Sequence, residues 1–166
     1  MKLTRLTDSP ILNPIEKNNW EKAAVFNAAA VYHNEKFHMI YRSTDIGGDN
    51  KYGPYINSLG YTTSRDLIHW ERNKEPILRN DVPQELRGPE DPRIVELDGT
   101  FYMTYTGFGN RFPDDYRICL ASSNDLVYWK RHGVVLDEPN KNSSLFPEKI
   151  GGRYCMFHRR HPDIWI

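Results

Sequence analysis

Ser58-Leu59-Gly60-Tyr61-Thr62-Thr63-Ser64-Arg65-Asp66-Leu67-Ile68-His69-Trp70-Glu71-Arg72 returns further along the chain as Arg117-Ile118-Cys119-Leu120-Ala121-Ser122-Ser123-Asn124-Asp125-Leu126-Val127-Tyr128-Trp129-Lys130-Arg131. Ser64/Ser123, Asp66/Asp125, Leu67/Leu126, Trp70/Trp129 and Arg72/Arg131 are identical. Each copy reads as a β-run, a Ser-x-Asp-Leu turn and a further strand that holds the Trp. Self-similarity of this kind marks an architecture assembled from copies of one supersecondary unit.

Working outward, an aromatic strand precedes each copy. Lys36–Arg42 (KFHMIYR) precedes the first and Thr100–Thr106 (TFYMTYT) the second; a third such run is Arg153–His158 (RYCMFH). Asn34-Glu35, Asp98-Gly99 and Gly151-Gly152 introduce these strands, and the last two pairs suit tight hairpins. A further strand lies upstream of each turn, at Ala28–Tyr32, Pro92–Glu96 and Ser144–Ile150. Each unit is thus four short antiparallel strands, the make-up of a propeller blade. No apolar pattern of period 3.6 is long enough for a substantial helix. The expected fold is all-β, with residues 1–166 forming a single incomplete β-propeller domain of roughly two and a half blades. The chain stops inside the apolar run Asp163-Ile164-Trp165-Ile166. So few blades leave sheet edges open, so self-association or a missing C-terminal half is expected.

Composition bounds the function. Among 166 residues, 22 Lys and Arg balance 22 Asp and Glu, which excludes a generic electrostatic partner such as nucleic acid or an anionic membrane. Hydrophobic residues are 39% and aromatics 13%, a balance suited to strands and to surfaces that stack on the C–H faces of sugars. Aromatics that merely fill a β core explain the same numbers. Asp8, Pro10 and Pro14 interrupt the N-terminal stretch, no run approaches the ~20 apolar residues of a membrane span, and a cytoplasmic enzyme is expected. Cys119 and Cys155 sit in strand-like runs and are expected to be reduced thiols. The six His form no metal-binding spacing, so no metal and no cofactor is expected.

Three clusters carry candidate chemistry. In Arg87-Gly88-Pro89-Glu90-Asp91-Pro92-Arg93-Ile94, just before a first strand of a unit, two adjacent carboxylates are bracketed by arginines and pinned by prolines. Pro92 is expected to hold Asp91 extended. Such a display suits a catalytic acid, Asp91, beside substrate contacts from Glu90 and Arg93; a salt-bridged turn fits the spacing as well. The second cluster joins Lys149 of Phe146-Pro147-Glu148-Lys149 to His158-Arg159-Arg160-His161, basic groups that suit an oxyanion. Strand alternation puts His158 and Arg160 on one face and Arg159 and His161 on the other. A solvated basic loop is the competing reading. In the third, Asn27, Arg42 and Asp45 stand at the ends of the first unit's inner strands, where they serve as hydrogen-bond partners for sugar hydroxyls or as ordinary turn residues.

Together these motifs resemble glycoside hydrolase family 130, the β-mannoside phosphorylases and their hydrolytic relatives. The resemblance rests on Phe26-Asn27-Ala28-Ala29, Tyr41-Arg42, Gly88-Pro89-Glu90-Asp91-Pro92-Arg93, the Ser-x-Asp-Leu repeats, Leu145-Phe146-Pro147-Glu148-Lys149, His158-Arg159 and Pro162–Ile166. It implies a five-bladed β-propeller of about twice this length. It implies that Asp91 is the general acid, protonating the glycosidic oxygen through a sugar hydroxyl. Inorganic phosphate, as co-substrate, then attacks the anomeric carbon from the opposite face and gives α-mannose 1-phosphate. It further implies a phosphate site that includes Lys149, His158 and Arg159, with Arg117 and His161 as additional candidates. The hydrolytic relatives lack such basic ligands, so their presence favours phosphorolysis over a β-mannoside hydrolase. The signature looks closer to the mannooligosaccharide branch than to the mannosylglucose branch. A non-catalytic, sugar-binding half-propeller is the reading outside the enzyme class.

Overall fold

A computed structural model describes residues 2–46 and 54–166. Among the described residues eleven strands are formed: β1 (Ala24–His33), β2 (Lys36–Thr44), β3 (Asn57–Ser64), β4 (Glu71–Arg72), β5 (Gly88–Leu97), β6 (Thr100–Phe108), β7 (Tyr116–Ser123), β8 (Lys130–Leu136), β9 (Ser144–Leu145), β10 (Met156–Arg160) and β11 (Asp163–Trp165). The one helical element among the described residues is a 3-10 turn at Pro83–Glu85. Neighbouring strands pair antiparallel in chain order, giving the sheets β1-β2-β3-β4, β5-β6-β7-β8 and β9-β10-β11. The two four-stranded units expected from the repeat are present. The third upstream strand is shorter than its Ser144–Ile150 run, because Pro147 cannot donate to a ladder and Ile150 instead bridges to Arg153 across the Gly151-Gly152 turn.

The repeat is held by local hydrogen bonds. Ser64 Oγ accepts from the Leu67 amide at 2.8 Å, and Asp66 Oδ1 accepts from the amides of Ile68 and His69 at 2.9 and 2.8 Å. Ser123 and Asp125 repeat these bonds with Leu126, Val127 and Tyr128. Leu67 and Leu126 both take the left-handed backbone, φ 65° and 66°. Trp70 and Trp129 each donate an indole N–H to that Leu's carbonyl at 3.0 Å. The turn and its Trp are therefore one unit, and both Trp residues lie just before their strands rather than inside them.

The core lies between the first two sheets: Ile40, Leu59 and Tyr61 from one, Phe101, Met103, Tyr105, Cys119 and Ala121 from the other, joined by Leu78 and Leu126. Against each of these sheets packs a buried carboxylate from the segment ahead of it, Glu21 and Glu85. Tyr41 Oη donates to Glu21 Oε2 at 2.8 Å, and Arg72 Nη1 meets the same oxygen at 3.0 Å. In the second sheet Tyr105 Oη donates to Glu85 at 2.7 Å and Arg131 Nη2 pairs with it at 3.0 Å. A buried carboxylate without partners would be costly, so both are fully satisfied. Burial, reinforced by the neighbouring carboxylate, lifts both tyrosine hydroxyls far above their ordinary pKa. The same burial raises Glu85 and pushes the Cys119 thiol up to about 12, and both cysteines are free.

Candidate active site

The motif that holds Asp91 lies inside β5, where register slips between Glu90 and Arg93. Asp91 occupies the bulge with φ 52°, so the extended conformation expected ahead of Pro92 is not the one adopted. Asp is among the few residues that tolerate this left-handed region, and the bulge turns its side chain out of the ladder. β1 carries the same device: register slips between Phe26 and Ala29, and Asn27 has φ 47°. A third residue of this kind, Asn142 (φ 63°), stands two positions before β9. Phe26-Asn27 on β1 and Glu90-Asp91 on β5 are thus corresponding pairs, and Lys141-Asn142 stands in the same order just ahead of β9.

These pairs converge. Asn27 Nδ2 donates to Asp91 Oδ1 at 2.9 Å, and Arg42 Nη1 meets the same oxygen at 3.1 Å. No bond to Asp91 Oδ2 is found among the described residues. Arg42 also pairs through Nη2 with Glu90 Oε1 at 3.0 Å, donates Nε to Asn57 Oδ1 at 2.9 Å and lies 4.7 Å over the Phe26 ring. Glu90, wholly buried, accepts further from Asn57 Nδ2 at 2.9 Å and Lys141 Nζ at 2.7 Å. Gly88 permits this arrangement. At φ 95° its Cα passes so close to β3 that an added Cβ would lie 2.0 Å from the Asn57 carbonyl oxygen.

Above this network is an open cleft of about 390 Å³, lined by Arg42, Tyr55, Asp91, Phe108, Tyr116, Lys141, Asn142 and Arg159. The Lys141 ammonium lies 5.6 and 5.1 Å from the Phe108 and Tyr116 rings. Asp91 lines the cleft with three cations, Arg42, Lys141 and Arg159, the first two paired below it with buried Glu90, so the cleft can accept an anion beside an acid. Its aromatic walls suit the apolar face of a sugar. Among the described residues no group of three or more His, Cys, Asp or Glu is placed to hold a metal ion.

Of the residues expected from sequence, Asn27, Arg42, Glu90, Asp91 and Arg159 come together. Asp45 instead accepts the Ile56 amide at 2.7 Å, and exposed Arg93 folds back on the Pro92 carbonyl at 2.7 Å. Lys149 pairs with Asp98 at 2.6 Å, in the turn at the opposite end of β5, roughly 20 Å along the strand from Asp91. The bond to Asp98 raises the Lys149 ammonium above its ordinary pKa. Arg117 is tied to Asp137 at 3.3 Å. His158 and Arg160 share a face, as alternation requires, and meet Asn140 and Glu138 at 3.1 and 3.3 Å. His161 lies beyond β10, in the turn before Pro162, and is exposed. Asn57, Lys141, Asn142 and the aromatic wall carried no motif, yet the correspondence of Lys141-Asn142 with Glu90-Asp91 was available to an alignment of inner strands.

The family described as β-1,4-mannooligosaccharide phosphorylase, glycoside hydrolase family 130, matches residues 2–166. The chain is 63% identical over 166 residues to a 1,2-β-oligomannan phosphorylase of Thermoanaerobacter sp. (strain X514), covering 100% of this chain and 56% of that protein. It is 50% identical over 172 residues to a β-1,2-mannobiose phosphorylase of the same organism, covering 99% and 57%. The chain thus spans little more than half the length of these curated relatives. A solved structure, from work describing family-130 glycoside hydrolases that target β-1,2 mannosidic linkages in Candida mannan, superposes with a TM-score of 0.81 at 30% identity. That match covers 93% of this chain and 52% of the other.

Proposed function

Because the chain belongs to glycoside hydrolase family 130, we propose that it builds one side of the active site of a β-mannoside phosphorylase and that residues 1–166 are the first two and a half blades of a five-bladed β-propeller. The observation that carries this reading is Asp91, held through one carboxylate oxygen by Asn27 and Arg42 at the floor of a cleft whose wall bears Lys141 and Arg159.

In this reading Asp91 delivers the proton to the departing glycosidic oxygen, by way of a sugar hydroxyl. Arg42, fixed by Glu90, Asn57 and Phe26, sets the orientation of Asp91. Phosphate lies against Lys141, Asn142 and Arg159 and attacks the anomeric carbon from the other face. As an anion it needs no base, so one acid suffices, unlike the paired carboxylates of most glycosidases. The single displacement converts a β-mannoside into α-mannose 1-phosphate. Phosphate is the co-substrate, with no other cofactor, and the rest of the cleft comes from the remaining blades or from another subunit. The names of the two Thermoanaerobacter relatives support β-1,2 linkages as the substrate class.

Hydrolysis on the same scaffold is the second reading, favoured by the hydrolases related to the superposed structure. Product analysis separates the two. The natural protein carrying this chain, incubated with β-1,2-mannobiose, is expected to release mannose 1-phosphate only when phosphate is added. Free mannose at an equal rate without phosphate would replace the phosphorylase with the hydrolase.

A further inference from the structure

Arg87 ends the segment ahead of β5, and its backbone is tied into the site on both sides. Its amide donates to the Phe108 carbonyl at 2.7 Å, and its carbonyl accepts from the amide and Nδ2 of Asn57, both at 2.9 Å. Asn57 is the residue that holds Arg42 and Glu90 beneath the cleft. The Arg87 side chain is therefore placed by the same network, yet it joins none of its ion pairs. Arg42, Arg72, Arg111, Arg117 and Arg131 each meet a carboxylate. Arg87 meets none among the described residues, and its Nε and Nη2 are buried without a hydrogen-bond partner.

Two aromatic rings stand where a counter-ion would be. The guanidinium lies 5.2 Å from the centre of the Tyr55 ring and 5.8 Å from that of Phe108, and both rings line the cleft while Arg87 itself does not. The Lys141 ammonium lies 5.6 Å from the same Phe108 ring. Ring faces attract a cation but do not satisfy its N–H donors, so much of the desolvation cost of this guanidinium stands. A neutral side chain of similar length would fill the position at little or no loss of stability. What Arg87 supplies is a positive charge that no carboxylate cancels, set behind an apolar wall that screens it far less than water would.

We propose that Arg87 is a positioning residue for phosphate: its unmatched charge, held behind Tyr55 and Phe108, draws the anion towards Lys141, Asn142 and Arg159 without touching it. This rests on the reading of the cleft as a β-mannoside phosphorylase site. A mannoside carries no charge, so the effect falls on the anionic co-substrate and on the sugar phosphate formed from it, and leaves the binding of the sugar alone.

Steady-state kinetics of the natural protein on β-1,2-mannobiose and inorganic phosphate test this, with Arg87→Met as the neutral variant and Arg87→Lys as the variant that keeps the charge. Arg87→Met should raise KM for phosphate about fivefold, the scale of one charge acting across a ring, and leave kcat and KM for mannobiose within about twofold. Arg87→Lys should stay within about twofold of the unmodified protein in all three. The urea midpoint of Arg87→Met should be unchanged or raised. An unchanged phosphate KM in Arg87→Met, an equal rise in both KM values, or Arg87→Lys as impaired as Arg87→Met overturns the inference. So does a large fall in the midpoint, or failure of Arg87→Met to fold, since Arg87 would then be a structural prop. Failure of the parent reading shows separately, as no phosphate-dependent release of mannose 1-phosphate by the unmodified protein, and the inference falls with it.

Discussion

The first and second sheets agree in one place and part in another. Glu21, Tyr41 and Arg72 reappear as Glu85, Tyr105 and Arg131 with the same pairing of a buried carboxylate to a tyrosine and a half-buried arginine. At the inner-strand bulge the backbone is again repeated, left-handed in both, but Phe26-Asn27 faces Glu90-Asp91. Identical side chains at corresponding positions mark what every unit needs in order to fold. Different side chains on an identical, strained backbone mark where one unit has been given a separate task. The bulge costs each sheet ladder bonds and an uncommon φ, and a cost kept in both sheets is informative once the side chains diverge.

The largest expected effect is at the divergent position. Asp91→Asn keeps the bonds from Asn27 and Arg42 but removes the proton donor, and should lower phosphorolysis by about 10² to 10⁴-fold with little change in the unfolding midpoint. Full activity in this variant would return Asp91 to the status of its counterpart Asn27. The repeated carboxylates should behave in the opposite way. Glu21→Ala and Glu85→Ala each remove a buried carboxylate from a tyrosine and a half-buried arginine and should each cost about 1 to 3 kcal/mol in urea unfolding, the smaller loss at Glu85, whose Arg131 keeps Asp81 at 2.7 Å. If one of them leaves stability unchanged but stops turnover, the division between repeated structure and divergent chemistry fails. Asn27→Ala is milder. One hydrogen bond to a charged acceptor is lost, so turnover should fall roughly tenfold, while placing Ala at φ 47° should cost about 1 kcal/mol of stability.

The smallest effect concerns the Ser-x-Asp-Leu turns. The His69 side chain and backbone amides hold Asp66 well below its ordinary value of 3.8. At Asp125 burial opposes this, but the Tyr128 and Val127 amides prevail and the carboxyl is again lowered. A carboxyl depressed on folding stabilises the protein above its unfolded pKa, and loses that contribution as pH falls through the folded value. The stability gap between the wild type and Asp66→Asn or Asp125→Asn, measured by urea midpoints, should therefore be full near neutrality and close in strong acid. A gap that widens on acidification would contradict the assignment.

What was legible in the sequence was whatever is settled within a few residues. The Ser-x-Asp-Leu turns and the hairpins satisfy themselves locally, so spacing alone revealed them, and with them the antiparallel sheets. Asp91 and Glu90 stood out because prolines and charge flank them, and Arg42 by its place at the end of an aromatic strand. Lys141 and Asn57 did not, since each meets Glu90 across a long stretch of chain and no local pattern announces it. Lys149 stands out by its basic cluster and Arg117 only through the family resemblance, and each is paired with a carboxylate outside the cleft, Asp98 and Asp137. The repeat is marked by its Trp turns, whereas the candidate chemistry lies at the other end of each sheet, on the bulges of Asn27 and Asp91 and on the left-handed Asn142 ahead of β9.

The proposal of a single acid working opposite a phosphate is tested most directly by the configuration of the first product. Phosphorus NMR of the natural protein turning over β-1,2-mannobiose in phosphate should show α-mannose 1-phosphate forming from the outset, as one displacement requires. The β anomer as first product would contradict the account, because retention needs a covalent intermediate and a second catalytic group that this cleft has not been assigned.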